Sequence, residues 1–361
     1  MANLHTLDEQ SYKFGITDSW MAESEAVGDR LGAVVLGAAP GQVVVADSTS
    51  VLLYKLARAA VDADPARTEI VLDRDNFPTD RYLLQGIAAE RRLTLRWLDA
   101  DRAAGVRPAD LDGVLGERTA LVLLSHVGYR SGFLADAETI TERVHRAGAL
   151  VLWDVSHSVG SVPLHLDRWG VDLAVGCTYK YLNGGPGSPA FGYVRRDLTD
   201  RLAQPIWGWM GAADVFAMGP EYVPAVGIRR FLTGTPPIVA MQPMQLMLDL
   251  IAEAGMDAVR EKSVRLTERA IALADERLAP LGVRLASPRD PAERGSHVTL
   301  RHPRFREVTA RLWERGVIPD FRAPDGLRIG LSPLSTSFAE LDRGVRAIRE
   351  ALHELDDRSA D

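Results

Sequence analysis

The chain has 361 residues, with 42 Lys and Arg against 49 Asp and Glu for a formal charge of −7. Its 46% hydrophobic and 25% charged content is ordinary globular composition, which excludes a disordered or fibrous chain and leaves ample apolar material for a core. The acidic balance argues against a dedicated nucleic-acid binder, whose affinity comes from Lys and Arg meeting phosphates.

The opening MANLHTLDEQ lacks the basic and then apolar pattern of a signal peptide, and residues 1–40 read as an N-terminal helical segment. From residue 42 short β-branched runs alternate with helical segments. Strands are expected at 42–46, 68–73, 93–99, 120–127, 149–155 and 172–177, with helices at 51–61, near 79–90 and near 137–147. Continuous apolar strands separated by helices predict an α/β domain over 41–235, with a mostly parallel sheet covered on both faces. Cys177 is the only cysteine, so neither a disulfide framework nor a thiolate zinc cluster is available. A helix is expected after the Pro pair at 236–237, then an amphipathic helix at 257–278. Next come VRLAS, HVTLRH, a helix at 304–315, GVIPD, LRIGLS and a last helix at 337–354. Residues 236–361 therefore read as a connecting helix and a smaller α+β domain. No apolar run approaches the roughly 18 residues needed to span a bilayer, so a soluble cytoplasmic protein without a membrane partner is expected.

In parallel sheets ligands bind beyond the carboxyl ends of the strands, which is where the polar clusters of this chain fall. Asp154 ends one apolar strand and His157 follows it. Lys180 follows the next strand, between Tyr179 and Tyr181 and before NGGPG. A lysine amine at a strand end can form a Schiff base with an aldehyde cofactor, and a neighbouring carboxylate can hold a pyridinium nitrogen. That chemistry requires pyridoxal phosphate (PLP), a phosphate cradle and a ring stacker. The stretch Asp47-Ser48-Thr49-Ser50 before a helix offers the cradle. Phe77, with Thr79 and Asp80 close behind, offers the stacker. Each residue alone has a plainer reading: Ser48 or Thr49 as an N-cap, Phe77 as core, His157 as a structural histidine, Lys180 as a surface charge. NGGPG matches neither nucleotide-loop spacing, and a zinc site on Asp154 and His157 lacks a third ligand, so no metal is expected. The joint occurrence at successive strand ends favours the catalytic reading.

The stretches VVVADSTSVLLYK, NFPTD, SHVGYRSG, LVLWDVSHSVGSVPLHL, VGCTYKYLNGGPGSPAF, GWMG, GIRRFLTGTPPI and DFRAPDGLRIGLSPL resemble the kynureninase family, in order over residues 42–335. The resemblance implies a fold-type I PLP-dependent fold, with Lys180 bound to the cofactor and Tyr179 touching its phosphate and assisting proton transfer. It implies Asp154 on the pyridinium nitrogen with His157 in support, Ser48 and Thr49 on the phosphate, Phe77 stacked on the ring, Asp80 beneath it, and Thr79 among the cofactor-binding residues. Trp209 and Thr235 match residues that reach the neighbouring subunit's phosphate, which implies a homodimer with shared active sites. Arg328 matches the arginine that clamps the α-carboxylate of an amino-acid substrate.

The chain also departs from that pattern. It shows no N-terminal DGNSLG-like segment. The histidine of GWMGH is replaced by Ala212, and Ser335 stands where an aromatic residue is expected. These differences surround the substrate side chain and spare the cofactor residues. The implied activity is hydrolysis of the Cβ–Cγ bond of kynurenine or a substituted kynurenine to an anthranilate and alanine. The altered pocket predicts weak or atypical turnover of kynurenine itself. The alternative is a related PLP enzyme acting on a different amino acid by β-elimination, β-substitution or decarboxylation. A cysteine-desulfurase activity is disfavoured because Cys177 sits at a strand end rather than on a mobile loop. A non-catalytic PLP fold is disfavoured by the intact Lys180, Asp154 and Tyr179.

Overall fold

The computed structural model describes residues 18–101 and 103–360. The first part of the expected N-terminal segment, residues 1–17, lies outside them. Helix α1 (Asp18–Leu31) runs into a π-helical turn (Gly32–Leu36) that closes on Gly37, whose φ of 59° is the left-handed conformation glycine adopts without steric cost.

Seven strands form the large sheet: β1 (Val43–Ala46), β2 (Glu69–Asp73), β3 (Thr94–Leu98), β4 (Thr119–Ser125), β5 (Leu150–Asp154), β6 (Leu173–Cys177) and β7 (Ala190–Val194). Their order is β1-β7-β6-β5-β4-β2-β3. The pairs from β6 across to β3 are parallel, whereas β7 runs antiparallel to both of its neighbours. Helices α2 (Thr49–Asp62), α3 (Pro78–Arg91) and α4 (Ala137–Arg146) connect the strands. Side chains alternate across the sheet, as the two-residue strand period requires. Val71 and Val122 enter one core, while Ile70, Leu72, Leu121 and Leu123 enter the core on the opposite face. Burial on both faces is why these strands read as unbroken apolar runs.

Strand β7 is absent from the expected elements, because Gly192 interrupts its apolar run and a glycine-rich turn precedes it. Its insertion fixes another residue. A Cβ on Gly176 of β6 would lie 2.5 Å from the Phe191 ring, so the adjacent strands pack only with glycine there.

Helix α5 (Ile238–Ala254) buries Met241, Met244, Leu248 and Ile251 in the core cluster on one face of the large sheet, packing beside α1 and the π-helical turn. After Gly255, α6 (Met256–Arg277) leads to the second sheet, formed by β8 (Arg284–Leu285), β9 (His297–Arg301), β10 (Asp320–Arg322) and β11 (Gly326–Gly330). That sheet is antiparallel in the order β10-β11-β9-β8. With α7 (Phe305–Glu314) and α8 (Phe338–Ala360) it encloses a core containing Leu266, Val298, Leu300, Phe305, Leu327 and Ile348. The expected strand at GVIPD is displaced: β10 begins only at Asp320, its last residue.

Candidate active site

The carboxyl ends of β1, β2, β5 and β6 and the entry to β7 surround one cavity of about 560 Å³. At the end of β1, Asp47 takes a left-handed φ of 50° and Ser48 caps α2, its hydroxyl accepting from the Val51 N–H at 3.4 Å. Thr49 opens the helix. The first N–H groups of a helix lack intrahelical partners, so this end of the cavity is suited to an anion. The N-cap reading of Ser48 is therefore correct and does not compete with anion binding.

At the end of β2, the Asn76 carbonyl oxygen accepts from the Phe77 N–H at 2.8 Å and from the Ser125 hydroxyl at 2.5 Å. This holds Phe77 against the cavity, where its ring meets Tyr129 edge-on at 5.4 Å. Thr79 and the buried Asp80 follow in the first turn of α3, after Pro78 at its first position. At the end of β5, Asp154 reaches the cavity and accepts the Ser156 N–H at 2.8 Å. Beyond β6, the Lys180 amine stands 5.8 Å from the ring centres of both Phe77 and Tyr179. The Thr178 hydroxyl donates to the Pro189 carbonyl at 2.5 Å, tying the glycine-rich turn to the start of β7.

Eight of the expected residues thus line one cavity: Ser48, Thr49, Phe77, Thr79, Asp80, Asp154, Tyr179 and Lys180. His157 and Arg328 are not in its lining but meet each other, with Arg328 Nη1 3.2 Å from His157 Nε2. Arg328 also donates to the Tyr129 carbonyl at 2.9 Å and, through Nε, to Asp320 at 3.1 Å. Trp209 and Thr235 are not in the lining either. Trp209 packs beside a core cluster and Thr235 is exposed.

The electrostatics divide the carboxyls. Burial raises the Asp80 pKa well above the usual carboxylate range; Asp154 raises it further while Lys180 opposes both. One Asp80 oxygen is enclosed without a partner among the described residues. Burial pushes the Tyr179 hydroxyl up to about 12, with Cys177 adding to the effect. Burial also lowers His157 well below its ordinary range, with Lys180 next in importance, so this imidazole is neutral and can accept from Arg328.

The Kynureninase C-terminal domain family matches residues 259–348. A kynureninase from Pseudomonas fluorescens is 42% identical over 339 residues, covering 92% of this chain and 80% of that protein. A kynureninase from Burkholderia pseudomallei strain K96243 is 43% identical over 342 residues, covering 93% and 80%. The chain belongs to the kynureninase family. Solved structures share its fold at low identity. The apo cysteine desulfurase of Thermococcus onnurineus NA1 covers 97% of this chain and 91% of its own, with a TM-score of 0.82 at 19% identity. The cystine C–S lyase C-DES in complex with cysteine persulfide gives 0.82 at 20%, covering 97% and 92%. The fold is the fold-type I fold of PLP-dependent enzymes.

Within this kynureninase-family cavity, sequence reasoning passed over Ser156 and Ser188. Ser156 lies between Asp154 and His157, and Ser188 closes the glycine-rich turn before β7. Each stands where a buried strand meets a polar turn, the same signal that identified its neighbours.

Proposed function

We propose that this chain is a PLP-dependent kynureninase that hydrolyses kynurenine, or a ring-substituted relative, to an anthranilate and alanine. The observation that carries the reading is the single cavity that places Lys180 between a carboxyl end and an anion-binding end. The residues fit PLP. Asp154 suits the protonated ring nitrogen, Phe77 the ring face, and Ser48, Thr49 and the start of α2 the phosphate. The enclosed, unpartnered Asp80 oxygen leaves room for a polar contact beside the ring. When bound, PLP supplies an electron sink that weakens bonds at the substrate's α-carbon.

The chain's own groups supply position and proton transfer. Asp154 holds the ring proton in place. Lys180 would hold the cofactor in this cavity, and its amine is the base suited to move the proton at the substrate's α-carbon. Arg328 binds the α-carboxylate through a guanidinium already oriented by Asp320 and the Tyr129 carbonyl. Water adds to the γ-carbonyl, the Cβ–Cγ bond breaks to release the acyl fragment as an anthranilate, the β-carbon takes one proton, and the α-carbon regains the one that Lys180 removed, giving alanine. Tyr179, protonated at neutral pH, is the donor for the β-carbon.

The reading includes a homodimer with shared sites working in the cytoplasm. Trp207, Phe216, Met218, Val223 and Val226 leave an apolar surface along the stretch that contains Trp209, and the lone Cys177 is free and buried. Mixing Lys180→Ala chains with Trp209→Ala chains tests site sharing: each heterodimer should regain about one intact site, and a fully active monomer in sedimentation would contradict it. The function itself is tested by incubating the PLP-loaded protein with kynurenine and 3-hydroxykynurenine while following anthranilate fluorescence and alanine. Amino-acid binding without anthranilate release would overturn the substrate assignment.

A further inference from the structure

Lys55 is fully buried in α2 and takes no part in the chemistry above. Its ammonium donates to Asp47 at 2.6 Å and to the Phe231 carbonyl at 3.0 Å. Those two partners belong to separate functional pieces. Asp47 precedes Ser48 and Thr49 and holds a left-handed φ of 50°, a conformation that a non-glycine residue keeps only when its surroundings enforce it. The Asp47 carbonyl is fixed as well, accepting from the Ala190 N–H at 3.0 Å at the start of β7. Phe231 ends the 3₁₀ turn Ile228–Phe231, four residues before Thr235.

We propose that Lys55 is a positioning residue for the cofactor phosphate: it locks the Asp47–Thr49 turn in its anion-binding shape and ties that turn to the 228–235 segment. The proposal rests on reading this turn as the phosphate end of a PLP site. Apolar residues often replace a buried ion pair without loss of stability, so folding alone does not account for a lysine at this position. An ammonium supplies what the place demands, with several donors on one atom able to reach a carboxylate and a carbonyl from different segments. Burial draws the Lys55 pKa down, and the Asp47 contact opposes that shift.

The pair can be broken from either side. Lys55→Met removes the cation from the core. Asp47→Asn removes the charge from the more exposed partner without opening a cavity, and it decides the matter if Lys55→Met does not fold. For each variant we would measure the melting temperature of the PLP-free protein, the PLP dissociation constant from the visible absorbance of bound cofactor, and the ³¹P chemical shift of the bound phosphate. Losing a charge-assisted contact that shapes the turn should raise the PLP dissociation constant about tenfold or more and move the ³¹P signal. The kynurenine KM at saturating PLP should change far less than the PLP dissociation constant. If the parent protein binds PLP normally and Asp47→Asn retains the parent affinity and phosphate signal, the positioning role is overturned while the cofactor assignment stands. If the parent protein itself takes up no PLP, it is the cofactor assignment that fails.

Discussion

The strand-end cavity and the stretch from Trp207 to Val226 represent opposite ways of building a site. The cavity is made by one sheet: its carboxyls, amine, aromatic face and helix N-terminus arrive wherever a buried strand must end and the chain must turn polar. The second stretch has no strand and exposes large apolar residues, among them Trp207 and Val226. Within it Trp207 stacks on Tyr222 at 5.0 Å, and Tyr222 donates to the Gly211 carbonyl at 3.0 Å. The first region brings its side chains together within one chain. The second is shaped but uncovered, which suits a surface finished by another copy. Chemistry should therefore be most sensitive to change in the cavity, and selectivity in the second region.

The largest effect should come from Lys180→Ala. Removing the one lysine among the described residues of the cavity should lower kcat/KM by roughly 10³ or more, since both the covalent anchor and the proton acceptor are lost. Borohydride reduction of the parent protein followed by peptide mapping checks the assignment; label on any other lysine would defeat it. Asp154→Asn should follow at about 10², because an amide cannot balance a ring cation as a carboxylate does. The PLP-free melting temperature should change little, as Asn preserves the acceptor for the Ser156 N–H. Parent-like turnover in that variant would make Asp154 merely structural.

A third measurement probes the scaffold beneath the cavity. The His126 N–H donates to the Asp154 carbonyl at 2.9 Å, and its ring lies edge-on to Trp153 and Trp169. Burial lowers its pKa from 6.5 to about 4, with Arg260 adding to the shift. The unfolded chain therefore takes up a proton below pH 6.5 that the folded chain refuses until about pH 4. Stability is lost across that window as pH falls, by about 2 kcal/mol between pH 7 and pH 5. Asp73, raised to about 6 by burial, acts with the opposite sign over part of the same range, so the comparison must be made against His126→Phe. Denaturant unfolding should show a pH 7 to pH 5 loss about 2 kcal/mol smaller in that variant. An equal loss in both proteins would refute the assignment.

The same contrast explains what could be read from the sequence. The cavity residues were legible because each lies within a few positions of a strand end: Asp154 ends β5 and Lys180 lies three residues beyond β6. The contact between His157 and Arg328 joins residues 171 positions apart across the two sheets, and no local pattern encodes it. Nor does local pattern disclose Asp320 on the same guanidinium, because that pairing depends on the β10–β11 register placing Asp320 opposite Arg328. Strand β7 escaped for a related reason. Its identity comes from two antiparallel neighbours distant in sequence, while its own residues include a glycine and follow a loop. The apolar stretch was legible only as family motifs, since partners that complete a surface leave no periodicity in the chain.

The smallest change in rate is expected in the second region, at Ala212. Ala212 stands where the resemblance calls for a histidine; it is half-buried and bridged to Pro224 next to the Trp207–Tyr222 stack. It does not line its own chain's cavity, so an effect of the restored ring on kynurenine turnover would have to come through the proposed dimer. A site that hydrogen-bonds a polar substrate group discriminates strongly, whereas one that only encloses it discriminates weakly. Ala212→His should therefore raise kcat/KM for kynurenine several-fold, on the order of 1 kcal/mol, while leaving the visible spectrum of bound PLP unchanged. Parallel assays with kynurenine and 3-hydroxykynurenine against the parent protein would measure it. A gain confined to the variant's dimer would place the aromatic end of the substrate between chains. If the kynurenine rate is the same in both proteins, that end is held elsewhere, and the uncovered stretch serves assembly alone.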